Sequence, residues 1–201
     1  MIKKIILYSL FSLFIFSSIY FFLNKDYYQN TTVQKIENQE ALPGGHFKLI
    51  KQDGTVFDSE ISNKLMLIYF GFTHCPDVCP TTLIKMSDVI DRLGDDALKV
   101  NSIFISVDPE RDNVETINDY VSAFHNQIIG LTGNEEQISN VAKDWGVYYQ
   151  KEFIDSSAEY TVNHLDIIFL ANANGEFIDF FPPKIQSALI VEKVRNLIKS
   201  D

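Results

Sequence analysis

Cys75 and Cys79 are the only two cysteines in the chain, and three residues separate them in Thr73-His74-Cys75-Pro76-Asp77-Val78-Cys79-Pro80. If both lay on a helix, they would share a face, about 5–6 Å apart at Cβ. A disulfide needs Cβ atoms about 3.5–4.5 Å apart, so a small adjustment would close one. The same two thiolates make a soft site, which selects Cu(I), zinc or an iron–sulfur cluster. So short a loop restrains little chain entropy, so a purely structural disulfide is the weakest use of the pair.

The elements around the pair decide where it stands. Residues 65–72 are a continuous apolar run, as in a central strand covered on both faces. A helix is expected over 80–93, with Leu83, Met86, Val89, Ile90 and Leu93 at helical spacing. The cysteines therefore fall at a strand-to-helix junction. Residues 100–107 read as the next buried strand, and helices are expected over 114–124 and 135–145, the first opened by an Asp112–Glu115 capping box. A hairpin around Asp53-Gly54 opens the domain. A strand over 147–153, a hairpin of 165–170 with 177–181 about Asn174-Gly175, and a helix over 185–198 close it. This order is that of a thioredoxin-like α/β domain, a central mixed sheet flanked by helices, and ligands bind at the carboxyl edge of such a sheet.

Two thiolates rarely suffice for a metal, so a third donor is sought among His46, His74, His125 and His164. His74 adjoins Cys75 and would point away from it, His46 opens the domain, and His125 ends a helix. His164, in Tyr160-Thr161-Val162-Asn163-His164, stands at the mouth of the 165–170 strand. In this topology that loop lies against the cysteines.

The first residues point to a membrane. Residues 5–23 contain only Ile, Leu, Phe, Tyr and Ser. As a helix they would be ~28 Å long, close to the ~30 Å hydrocarbon core. Lys3 and Lys4 precede them, which places the N-terminus on the cytoplasmic side. Asn24-Lys25-Asp26-Tyr27-Tyr28 offers no small-x-small cleavage site, so an anchor is expected over a removed signal peptide. The expected organisation is an anchor over 1–25, a polar tether over 26–43 and the α/β domain over 44–201. For a bacterial chain this means a single pass through the inner membrane, with the domain in the periplasm, where disulfides persist. After residue 25 the chain carries fourteen basic against 27 acidic side chains, which excludes a nucleic-acid surface.

The segment 69–82 around the cysteines, together with Ser106-Val107-Asp108-Pro109-Glu110-Arg111-Asp112, Gly130-Leu131-Thr132-Gly133 and Val162-Asn163-His164, resembles the Sco/SenC family in order and spacing. The resemblance implies a thioredoxin-like copper protein with Cys75, Cys79 and His164 as ligands. It also implies a role in delivering copper to, or reducing the thiols of, the binuclear copper centre of a terminal oxidase. The implied partners are the oxidase subunit bearing that centre and a thioredoxin-like reductant. One departure is Asn163, where the family usually has Asp before the ligand histidine. Loss of that carboxylate is expected to change affinity or transfer rate but not the ligand set.

Three other classes are weighed against this one. A thiol–disulfide oxidoreductase would use the pair through a mixed disulfide, but thioredoxins space their cysteines by two and place a proline where Asn163-His164 stands. A peroxiredoxin-like peroxidase needs Thr or Ser three positions before its cysteine, where this chain has Phe72 and Pro76. A membrane-bound copper or redox sensor would need the same site as a carrier.

Overall fold

In the computed structural model the described residues are 43–153 and 159–200; the expected anchor and all of the tether but residue 43 lie outside them. Among the described residues, no helix is long and apolar enough to cross a membrane.

Seven strands form one mixed sheet in the order β2-β1-β5-β4-β3-β8-β9. Its centre is β3 (Leu65–Gly71), buried at every residue, running parallel to the equally buried β4 (Val100–Ser106). Parallel β5 (Ile128–Thr132) and the antiparallel hairpin of β1 (Lys48–Lys51) and β2 (Val56–Asp58) extend one side. Antiparallel β8 (Ile168–Ala171) and β9 (Phe177–Phe181) extend the other. Both hairpins turn where Asp53-Gly54 and Asn174-Gly175 predict; Gly175 supplies a φ of 73°.

The helices bury their apolar stripes on this sheet. α1 (Val78–Leu93) presents Leu83, Met86, Val89, Ile90 and Leu93 to the core and packs against α4 (Ser187–Ser200). α2 (Val114–Ser122) lies over β5, and its Tyr120 ring meets Phe104, which in turn meets Tyr69. On the opposite face, Trp145 at the end of α3 (Glu135–Asp144) packs on Phe169, which meets Phe70. The alternation of Tyr69 and Phe70 thus gives β3 a core on each face.

Two expectations are corrected, and two strands appear that were not expected. α1 begins at Val78 rather than residue 80, and Cys75 precedes it, so the two cysteines do not share a helical face. The cap of α2 is Asn113, whose side chain accepts from Thr116 N at 2.9 Å; Asp112 is instead fully buried. β5 had no predicted counterpart. β6 (Tyr149–Phe153) does not join the main sheet but pairs with β7 (Tyr160–His164), a strand not predicted, as a separate antiparallel ribbon.

Candidate metal centre

The carboxyl ends of β3 and β4 build the site. β3 ends at Gly71, and a short turn, in which Cys75 N donates to Phe72 O at 3.3 Å, brings Cys75 under the start of α1. Asp77 caps that helix in position but makes no side-chain capping bond. Cys75 Sγ takes the role instead, accepting from Cys79 N at 3.4 Å. Pro80 has no N–H to satisfy, which suits a first-turn position.

Both cysteines are buried and free. Cys79 Sγ lies 3.3 Å from Nε2 of His164, the last residue of β7. His164 Nδ1 lies 3.2 Å from the Leu165 carbonyl. A carbonyl only accepts, so Nδ1 carries a proton there and Nε2 is the ring nitrogen that faces the cysteines. The His164 ring stands edge-on to Phe72 and Tyr69, with centroids at 5.7 and 6.1 Å. The two sulfurs and one imidazole nitrogen all lie within 4.8 Å of one another, the only such cluster among the described residues. This soft, convergent donor set, its two sulfurs buried and its imidazole half-buried, fits Cu(I).

The two thiols are unequal. The hydrogen bond from Cys79 pulls Cys75 down to about 3, with further help from His164 and from the backbone N–H groups of Asp77 and Cys79. The positive end of α1 acts in the same direction. Cys79 is pushed up, first by its bond to Cys75 and then by burial. One thiolate therefore stands ready, while the second thiol is held in its protonated form. Gly71 makes room for this arrangement. A Cβ there would stand 2.9 Å from Cys79 Sγ and 2.9 Å from Phe104 Cε2, closer than carbon tolerates.

Around the two sulfurs and the imidazole lies a polar frame, built in part from a segment whose sequence by itself implies only a helix-capping turn. Asp112 accepts from Thr73 N at 2.9 Å, Thr73 Oγ1 at 2.6 Å and Ser106 Oγ at 2.6 Å, tying the cysteine turn to β4. Asp108, also fully buried, pairs with Arg111 and accepts from the Tyr160 hydroxyl at 2.8 Å. Thr82, one turn beyond Cys79, donates to Asp166 at 2.9 Å. The clustered charges of Asp108-Pro109-Glu110-Arg111-Asp112 signalled the first part. Nothing in the sequence pairs Thr82 with Asp166.

The other histidines stay apart from the pair. His74 is half exposed, with Nδ1 at 3.1 Å from Thr73 Oγ1 and 3.6 Å from Asp112. His125 Nε2 faces Asp91 at 3.5 Å. Asn163 alternates outward on β7 and is exposed, donating to Glu152 at 3.4 Å. Its amide therefore lies on the opposite face of the ribbon from His164.

A thioredoxin-like sheet with a Cys2His cluster at the end of its central strand defines a class of soft-metal and thiol proteins. Within that class the chain belongs to the SCO1/SenC family, whose sequence profile matches residues 35–199. It is 41% identical over 140 residues to an SCO2-like protein of Rickettsia felis, covering 69% of this chain and 68% of that one. It is 42% identical over 144 residues to the mitochondrial SCO1 homolog 1 of Arabidopsis thaliana; that match covers 71% of this chain but 43% of the longer relative. Its fold is similar to that of Bradyrhizobium japonicum ScoI, solved with copper bound, with a TM-score of 0.71 and 39% identity over 77% of this chain and 98% of that one.

Proposed function

We propose that this chain carries Cu(I) between the thiolates of Cys75 and Cys79 and Nε2 of His164. The cargo goes to the copper-site subunit of a terminal cytochrome oxidase. The observation that carries the reading is the convergence of the three soft donors within 4.8 Å. The copper bound by a relative of the same fold supports it. Val78 and Leu165, next to Cys79 and His164 in sequence, are exposed apolar side chains at the rim, where a partner would approach. Residues 1–25 serve as the membrane anchor and 26–43 as the tether, holding the domain on the periplasmic side of a bacterial inner membrane beside such a subunit.

Anaerobic titration of the reduced protein with Cu(I) against a competing chelator tests the reading. One tight equivalent per chain is expected, lost in Cys75→Ser and Cys79→Ser and weakened by about 10-fold or more in His164→Ala. Equal affinity in wild type and His164→Ala removes His164 from the site.

A second reading is favoured by the stabilised thiolate of Cys75. As a thiol–disulfide reductase, Cys75 attacks one sulfur of a partner disulfide and the other partner sulfur leaves as a thiolate. Cys79 then gives its proton to that partner thiolate and attacks the Cys75 sulfur of the mixed disulfide, releasing the second partner sulfur, which takes a proton from solvent. The partner leaves as a dithiol, and a Cys75–Cys79 disulfide remains, to be reset by a thioredoxin-like reductant. Reduction of a model disulfide without tight copper binding selects this reading.

A further inference from the structure

We propose that Arg111, anchored on Asp108 and stacked on Tyr160, is the positioning residue that sets His164 against the cysteine pair. It thereby governs how tightly the chain holds Cu(I). The inference rests on the Cys2His reading above.

Cys75 and Cys79 are placed by β3 and α1, parts of the main sheet and its helix layer. His164 is not. It ends β7, whose hydrogen-bonded partner is β6 rather than any strand of the seven-stranded sheet. The ladder that fixes the cysteines therefore does not fix the distance from His164 to Cys79, and side chains must do so. At the start of β7, four residues before His164 and about 13 Å away along an extended strand, Tyr160 meets Arg111. The guanidinium carbon lies 3.7 Å from the Tyr160 ring centroid, and Nη1 donates to the Tyr160 carbonyl at 2.9 Å. Nε pairs with buried Asp108, which also accepts from the Tyr160 hydroxyl at 2.8 Å.

The same guanidinium also faces the ring that stands behind the histidine. It lies 5.9 Å from the ring centroid of Phe72, and Phe72 is the ring that stands edge-on to His164 at 5.7 Å. One planar cation thus touches both the strand that carries His164 and the aromatic wall behind its imidazole. Beyond His164, Asp166 is held by Thr82 on α1 at 2.9 Å, so the other side of the histidine is fixed as well. Lysine would not replace arginine here, because it has neither the planar face to stack on Tyr160 nor a fork that bonds two acceptors at once.

The test uses the full-length reduced chain in detergent, with Cu(I) affinity read against a chelator and His164 read in the metal-free protein by NMR. Arg111→Met is expected to weaken Cu(I) by about 10–100-fold, as loss of a ligand's supporting shell does. Arg111→Lys should stay weak, and Tyr160→Phe should lose less than Arg111→Met. In the metal-free Arg111→Met chain the His164 ring should lose its contact with Phe72. Combined with His164→Ala, Arg111→Met should add no further loss, because it acts through that ligand. Wild-type affinity in both Arg111→Met and Tyr160→Phe overturns the proposal, as does an equal loss from Arg111→Met with and without His164. If Arg111→Met does not fold, Arg111→Lys decides: it keeps the charge but loses the planar stack on Tyr160 and the two-acceptor fork, so wild-type affinity there overturns the proposal. If the wild type binds no Cu(I), or His164→Ala binds as tightly as wild type, the ligand reading itself has failed and the proposal falls with it.

Discussion

The thiol of Cys79 bonds the sulfur of Cys75, the N–H of Cys79 adds a weaker bond to the same sulfur, and the pair accounts for much of the site's chemistry. The sulfur that accepts these bonds is stabilised as a thiolate, whereas its partner, the donor of the thiol bond and more deeply buried, keeps its proton. The reduced chain should therefore show the ultraviolet absorbance of one thiolate at neutral pH, fading only as pH falls toward about 3. In Cys79→Ala, with the main cause of the lowering gone, that titration should move upward. The folded pKa of Cys75 lies below its unfolded value of ~8.5. This thiol's contribution to stability is thus fully present above ~8.5 and is lost as pH falls through the folded value. Denaturation across that window should have a shallower pH slope in Cys75→Ser. Gly71 gives a second prediction. Gly71→Ala pushes a methyl into Cys79 Sγ and Phe104, and should cost about 1–3 kcal/mol from overpacking. Thermal unfolding reads that loss, and copper titration reads the displaced sulfur.

At the scale of elements, the separate ribbon of β6 and β7 is what the sequence reading missed, and the reason is physical. Tyr160-Thr161-Val162-Asn163-His164 is polar on its outer face, and its inner face covers a site rather than a continuous core, so it lacks the apolar run that announced β3 and β4. β5 was hidden for a related reason. Gly130 interrupts its apolar residues because Ile117 and Val121 of α2 need the space. The elements that bury one long stripe, α1 and α4, were legible from spacing alone, and both tight hairpins from their Asp-Gly and Asn-Gly pairs. The cysteines were legible too, but not their geometry, since the turn before α1 brings the sulfurs together. The ribbon also reassigns the role of Asn163. Because the residue faces Glu152 and solvent, Asn163→Asp should leave Cu(I) affinity unchanged. It should cost stability by ~0.2–1 kcal/mol through like charges on one ribbon face. A large change in affinity would show instead that charge on this outer face reaches the metal.

Taken as one molecule, the domain holds its donors on two bodies of structure: the sheet and α1 carry both sulfurs, and the ribbon carries the imidazole. A cation bound to all three joins those bodies, so its binding energy appears as stability of the fold. A ligand at about 1,000 times its Kd adds about 4 kcal/mol. In a domain of this size each kcal/mol raises Tm by about 2–4 °C. Cu(I) should therefore raise the Tm of the reduced chain by about 8–16 °C, and removal by a chelator should reverse the shift. The oxidised chain should behave otherwise. A Cys75–Cys79 disulfide has no thiolate to offer, and one imidazole does not hold Cu(I), so the shift should vanish on oxidation and return on reduction. That dependence would make the pair a redox gate, loading cargo only when reduced and releasing it when oxidised. An equal shift in both states would mean that the copper sits elsewhere in the chain, and that the convergence of Cys75, Cys79 and His164 serves thiol exchange alone.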